Sequence, residues 1–189
     1  RQSCPFFALL FATLTFSCGF SQASAQELRE FHYLNESLNL AGKKLNQTLE
    51  ELSFDETLHP AHTDPETGEW VALGRNEWTS GYFAGSLWLM YQLTGKPDWR
   101  DYARQWTSDM EPTAYEAQNH DTGLRIYGSF GNGYRLTDDR HYRKIILQGA
   151  HNLSNRFNPT IGAIKSWEPW EKLNANYPVI IDNMMNLEL

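Results

Sequence analysis

Apolar residues recur every three or four positions near the start of the chain, at Leu28, Phe31, Leu34, Leu38, Ala41, Leu45, Leu49 and Leu52. Charged residues fill the opposite face, and the pattern predicts one amphipathic helix over residues 26–52. The stretch SFDETLHPAHTDPETGEW, residues 53–70, holds Pro60, Pro65 and Gly68 and reads as a loop. The pattern then changes at WTSGYFAGSLWLMYQLTGKPDW. Residues 81–93 carry no charged side chain, which predicts a helix buried on all sides. Thr79 or Ser80 can cap its start, Gly95 can end it in the left-handed conformation, and Pro97 follows. Residues 97–110 are amphipathic again, with Trp99, Tyr102, Ala103, Trp106 and Met110 on one stripe.

The same order returns. Residues 123–136 form a second Gly- and aromatic-rich helix, interrupted mainly by Arg125. Residues 142–153 are amphipathic, with Tyr142, Ile145, Ile146, Ala150 and Leu153 apolar. YQLTGKPDW and YRLTDDRHY share the pattern Y-x-L-T-x-x-x-x-aromatic, starting at Tyr91 and Tyr134. Repeated buried and amphipathic helices indicate stacked helical hairpins. After Pro159 and Gly162, GAIKSWEPW reads as a short extended or turn segment, and Asp182 opens a third buried helix. The expected fold is all-α, about six helices in two layers. Short connections then make each layer run in one direction. The starts of the inner helices, residues 78–80, 120–123 and 182–183, fall on one rim. His120, Asp121 and Asp182 therefore meet there, with Trp78 beside them.

Composition changes this picture only in part. The chain has 189 residues, 41% hydrophobic and 14% aromatic, with seven Trp and nine Tyr. Such aromatics build cores and also stack on sugar rings. A formal net charge of -7 with no basic face argues against a nucleic-acid partner. PFFALLFATLTF is too short to span a bilayer as a mature helix. ASA before Gln26 marks a signal-peptidase site, so residues 1–25 are expected to be a signal peptide and residues 26–189 one domain. The protein is expected to be exported, periplasmic or secreted; lipid attachment at Cys18 is the alternative. Cys4 and Cys18 both lie in this leader, leaving no thiol for a disulfide, a nucleophile or a thiolate metal site.

The chemistry of the rim has a plain reading beside a functional one. Asp121 and Asp182 each stand where an N-cap residue belongs. Two carboxylates on one rim also repel, so that one proton is held more tightly, leaving one carboxylic acid beside one carboxylate. His120 is either a packed core histidine or a catalytic one. His59, His62, His141 and His151 are scattered without H-x-x-x-H or H-E-x-x-H spacing, so no metal is expected. Trp88, Trp99 and Trp106 fit helical stripes, and Trp170 is core by default. Trp78 and Trp167 stand at loop or helix-start positions suited to sugar stacking. No G-x-S-x-G motif or Walker loop occurs, and GSFGNG reads as close packing.

WTSGYFAGSLWLMYQLTGKPDW, NHDTGLRIYGSFGNGYRLT, RFNPTIGAIKSW and YPVIIDNMMN, in this order from Phe31 to Leu189, resemble glycoside hydrolase family 88, the unsaturated glucuronyl hydrolases. The resemblance implies an (α/α)6 barrel of six inner and six outer helices, of which this chain supplies the N-terminal half, an incomplete ring. It implies a substrate left by a polysaccharide lyase, an oligosaccharide ending in a 4,5-unsaturated uronic acid. Asp182 matches the general acid/base that protonates C4. Asp121 matches the second essential carboxylate, which holds ring hydroxyls and keeps Asp182 protonated. His120, Trp78 and Trp167 match substrate-pocket positions, and no metal or organic cofactor is implied. Groups that meet the uronate carboxylate or a sulfate come from the other half of the ring; Arg75, Arg125 and Lys165 are the nearby cations here. Two alternatives are an unsaturated rhamnogalacturonyl hydrolase acting on pectin fragments and a non-catalytic fragment.

Overall fold

A computed structural model describes residues 25–53, 58–116, 119–169 and 176–189, with side chains from Phe31 onward. Residues 1–24 of the expected signal peptide, with Cys4 and Cys18, lie outside the described residues, as does Trp170. The chain divides into two units, residues 1–37 and 38–189. Helix α1, Ala25–Leu52, is the element that the first apolar stripe predicts. In the first unit Phe31 and Leu34 are exposed, and His32 Nε2 lies 3.3 Å from Glu36 one turn on. In the second unit Leu38, Leu45, Leu49 and Leu52 pack against the hydrophobic core.

The stretch expected to be a loop is instead an antiparallel hairpin, β1 (Leu58–Thr63) and β2 (Trp70–Gly74). Its turn is held by Asp64 Oδ1, which accepts from the amides of Glu66 and Thr67 at 2.8 and 2.9 Å. Pro60 sits where the register shifts, and a missing N–H costs a ladder little there. Polar composition concealed the strands because their main anchor is His59 rather than an aliphatic. His59 is buried, edge-on to the Trp106 ring, with Nε2 2.7 Å from Asp109 Oδ2.

Helices α2 (Ser80–Thr94) and α3 (Pro97–Ser108) form the first helical hairpin. The second begins with a rod made of α4 (Thr122–Ile126), a π-turn at Tyr127–Gly131 and α5 (Asn132–Thr137). It returns through α6, Arg140–Ser154, whose N-cap Asp139 accepts from the His141 amide. The sequence repeat is a repeat of geometry. Thr94 and Thr137 each bond back to the carbonyl four residues earlier, at 2.6 and 2.7 Å. Gly95 and Asp138 are both left-handed, at φ 66° and 53°, and their amides donate to Tyr91 O and Tyr134 O, each at 2.8 Å. The aromatics that close the two copies, Trp99 and Tyr142, are both buried.

Trp88, Leu87, Trp106, Met110, Ile126, Phe130 and Ile145 make the center of the core. Trp88 Nε1 donates to Thr107 Oγ1 at 2.9 Å, so the indole is buried with its polar atom satisfied. The run GSFGNG is close packing as expected, with Gly131 against the Tyr127 ring and Gly133 against Tyr142. The expectation that α2 is buried on all sides fails on one stripe. Tyr82, Leu89 and Leu93, one and two turns apart, are exposed. Neighboring α3 and the rod cover the other sides, so the missing charges mark a surface left apolar but uncovered by these residues. Tyr102, expected on the buried stripe of α3, is likewise exposed.

Beyond α6, β3 (Phe157–Asn158) and β4 (Ala163–Ile164) pair antiparallel around a tight turn with Gly162 at φ 74°. The chain ends in α7, Asn183–Asn186. This third helix was expected to bury its apolar residues. It buries Asn183 and Asn186 instead, and Met184 and Met185 are exposed. No described helix is long and apolar enough to cross a membrane.

Candidate active site

Three helix starts meet because two glycines allow close approach. A Cβ on Gly81 would stand 2.6 Å from Arg125 O, so α2 lies directly on the rod. A Cβ on Gly123 would stand 2.5 Å from Asn186 O, so α7 lies directly on the start of α4. Any larger residue would have to push these backbones apart.

His120 Nε2 is 3.2 Å from Asp121 Oδ1 and 3.4 Å from Asp182 Oδ2. One ligand atom from each of the three residues lies within 4.8 Å of the others. The histidine is 1% exposed, the Asp121 side chain 13% and the Asp182 side chain 39%. The site is thus closed at His120 and opens toward Asp182. Among the described residues this is the group with a ligand set suited to a divalent cation; the same three atoms can instead share protons.

Asp121 and Asp182 do occupy N-cap positions, yet neither side chain caps its helix. The amide that Asp121 would ordinarily satisfy belongs to Leu124, three residues on. That amide donates at 2.8 Å to Asn186 Oδ1, on α7. At α7 the first amides, of Asn183 and Met184, donate to Ile180 O and Ile181 O of the preceding turn. Both carboxylates are relieved of the duty that most simply explains an Asp at a helix start. Thr79, at the N-cap of α2, makes no side-chain cap bond either; Ser80 Oγ instead donates to Arg75 O at 2.8 Å.

Burial pushes the Asp121 carboxyl above the ordinary carboxylate range. The charges of His120 and Arg125 oppose this, and those of Asp182 and Glu77 add to it. Burial and the nearby charges of Asp182 and Asp121 also raise the Tyr82 hydroxyl. Tyr82, in the first turn of α2, therefore lies within electrostatic reach of both carboxylates. It is edge-on to Trp78, with ring centroids 5.9 Å apart, and both rings are exposed. Trp167 stands against the histidine, edge-on to His120 with ring centroids 5.8 Å apart. The five residues singled out in the sequence thus converge through direct contacts and through Tyr82.

The cations do not converge in the same way. Arg125 is fully buried and holds the rim together, donating to Arg75 O, Thr122 Oγ1 and Asn119 Oδ1 at 3.3 Å. Arg75 lies 3.4 Å from Asp109 Oδ1 and Lys165 2.6 Å from Glu168 Oε2.

Sequence reasoning missed Tyr82, Asn183 and Asn186. Tyr82 was read as core because its helix carries no charge. The asparagines share one face of α7 at i and i+3, and that spacing in NMMN was a usable signal.

No family model matches the chain. Among curated proteins it is similar to an unsaturated glucuronyl hydrolase of Formosa agariphila, 43% identical over 114 residues, which cover 60% of this chain and 28% of that protein. It is also similar to an unsaturated chondroitin disaccharide hydrolase of Streptococcus pneumoniae, 28% identical over 120 residues, 62% of this chain and 30% of that protein. A solved structure described as an unsaturated glucuronyl hydrolase specific for heparin superposes with a TM-score of 0.74 and 35% identity, covering 83% of this chain and 41% of that one. The chain therefore spans well under half the length of the relatives it matches. Over that part it is related in sequence and fold to unsaturated glucuronyl hydrolases, and its helical hairpins form an incomplete (α/α)6 ring.

Proposed function

We propose that the protein containing this chain is a glycoside hydrolase that releases the terminal 4,5-unsaturated uronic acid from lyase-generated oligosaccharides. The observation that carries the reading is a pair of carboxylates at helix starts, both free of capping, with one buried histidine between them. The similarity to hydrolases of unsaturated glucuronyl and chondroitin disaccharide substrates supports it. The same similarity favors this reading over a rhamnogalacturonyl hydrolase. The apolar leader supports export.

In this reading Asp182, the more open carboxyl, gives its proton to C4 of the C4=C5 vinyl ether. The π electrons of that bond form the new C4–H bond, and positive charge is shared by C5 and the ring oxygen. Water adds at C5 and loses a proton to the carboxylates. The C5 hemiketal opens to a ketone, which leaves a hemiacetal at C1 that expels the remaining sugar. Asp121 holds the second proton-binding position and ring hydroxyls. Trp78, Tyr82 and Trp167 offer aromatic faces to the sugar. No step requires a metal or an organic cofactor.

The test is turnover of an unsaturated chondroitin disaccharide by the full protein, followed as loss of the absorbance of the conjugated C4=C5 bond. Asp182→Asn removes the transferable proton and should lower kcat by about 10²- to 10⁴-fold. Near-wild-type turnover by that variant would defeat the assignment of Asp182. Product release with the absorbance retained would defeat the vinyl-ether chemistry. Turnover only of rhamnogalacturonan disaccharides would move the substrate to pectin.

A further inference from the structure

The geometry points to Asn183 as the positioning residue that fixes which nitrogen of His120 faces the two carboxylates. Its side chain is buried, and its orientation is decided by its other neighbors. Asn183 Nδ2 lies 2.8 Å from Ile164 O and 3.3 Å from Ser166 Oγ. A backbone carbonyl only accepts, so the atom facing it must be the amide nitrogen. The amide oxygen, Oδ1, therefore faces His120, and its partner there is Nδ1. An oxygen without hydrogens accepts, so His120 Nδ1 carries the hydrogen. In the neutral ring Nε2 is then bare, with a lone pair aimed between Asp121 and Asp182 at 3.2 and 3.4 Å.

The surroundings hold this arrangement from several sides. The His120 amide donates to Ser166 O at 2.8 Å, and the Ser166 amide donates to Pro178 O at 2.8 Å. Ser166 Oγ accepts from the Ile180 amide at 3.1 Å. The histidine, the β4 edge and the entry to α7 thus form one hydrogen-bonded block, with Asn183 at its center. A bare Nε2 can do what a protonated one cannot. It accepts the proton of the Asp121 carboxyl, leaving Asp121 as carboxylate and His120 as imidazolium. It then gives that proton to the Asp182 carboxylate and becomes neutral again. One proton moves from the buried carboxyl to the open one, and no charge is created overall. With the other tautomer, Nε2–H would donate permanently to the carboxylates and the transfer would stop.

The kinetic half of this inference rests on the vinyl-ether reading; the tautomer half does not. The first measurement is the ¹⁵N NMR spectrum of the full protein labelled in histidine, with the His120 signals assigned by their loss in His120→Gln. Neutral His120 should show a protonated Nδ1 and an unprotonated Nε2. The opposite tautomer overturns the inference whatever the enzyme turns over. The second measurement uses Asn183→Leu, which keeps the volume and removes the acceptor. It should lower kcat by between about tenfold and about ten-thousand-fold, leave KM within about twofold and lose the Nδ1–H signature. The third uses Asn183→Asp, which keeps an acceptor oxygen. It should retain the Nδ1–H signature and move the alkaline limb of the pH–rate profile upward, because an added negative charge holds the shared proton more tightly. Equal loss of kcat in both variants, with the wild-type tautomer intact in each, would reduce Asn183 to a packing residue and overturn the inference. If the wild-type protein turns over no unsaturated disaccharide, the proposed function fails, and the spectrum alone decides the tautomer.

Discussion

Asp121→Asn isolates the electrostatic coupling on which the site depends. The substitution keeps size and hydrogen-bonding capacity and removes one negative charge within 4.8 Å of an Asp182 oxygen. Two unit charges at that distance interact by about 0.9 kcal/mol in water and about 3.5 kcal/mol at an effective dielectric constant of 20. At 1.36 kcal/mol per unit, these are about 0.6 and 2.5 pH units. Asp182 is 39% exposed, so solvent screening places the effect nearer the lower figure, about 1 unit. Protonated carboxyl is the active form, so activity is lost as pH rises. Removing the repelling charge lets the shared proton leave sooner, and the alkaline limb of the pH–rate profile should move down by about 1 unit. Stability gives a second readout of opposite kind. Burial raises the Asp121 carboxyl in the folded state, so the native chain binds more protons than the unfolded one between the two values. Stability therefore falls as pH rises through that window and does not return at neutral pH. Asparagine removes the penalty, and Tm at pH 7 should rise while turnover collapses. The assays are C4=C5 absorbance against pH and calorimetry at two pH values. An unmoved or upward-shifted alkaline limb, with the fold intact, would refute the coupling.

Other consequences are simpler to read. Dialysis against EDTA should leave turnover of the unsaturated disaccharide unchanged; loss of activity restored by zinc would show that His120, Asp121 and Asp182 hold a metal rather than protons. Asn186→Ala removes the acceptor of the Leu124 amide, and the Asp121 carboxylate is the group placed to take it over. Turnover should then fall by at least about tenfold with stability changed by about 0.5–2 kcal/mol, whereas unchanged kcat would show that Asp121 stays in place without help. Residues 26–189 produced alone should self-associate, because Tyr82, Leu89, Leu93, Ile181 and Met184 are all exposed; a monomer with one sharp thermal transition by light scattering and calorimetry would contradict this.

The helices were legible because their signals are local. The stripe from Leu38 to Leu52, the Gly95 and Pro97 punctuation and the repeated Y-x-L-T all act within one or two turns. The β1–β2 hairpin was not legible, since its anchor is a hydrogen bond between His59 and Asp109, 50 residues apart, and polar residues in a Pro-containing stretch read as loop. The rim was legible as a meeting of His120, Asp121 and Asp182, because layering fixes where helix starts fall. The division of labor inside it was not. Tyr82 looks like core from its uncharged helix, and whether it is covered depends on surfaces distant in sequence. The i, i+3 spacing of Asn183 and Asn186 marks a shared face of α7, but it does not name their partners His120 and Leu124, more than 60 residues away.

The capping amides show how a common structural residue becomes available for chemistry. An aspartate at a helix start is ordinarily bound to the second or third amide, and the partial positive charge of the helix end favors its ionized form. Both effects would keep Asp121 a carboxylate and fix it in place. Here Asn186 takes the amide, which removes the strongest hydrogen bond that would lower the carboxyl's affinity for a proton. The partial charge of the helix end remains, and so do the opposing charges of His120 and Arg125. Burial outweighs them, and the carboxyl moves up rather than down. A group held between such opposed effects is easily tipped. Covering the open side at Asp182 with a sugar would remove water from the pair and strengthen the repulsion that holds one proton on it. The neutral asparagine cap thus lets substrate binding itself reinforce the protonated state that the first chemical step consumes.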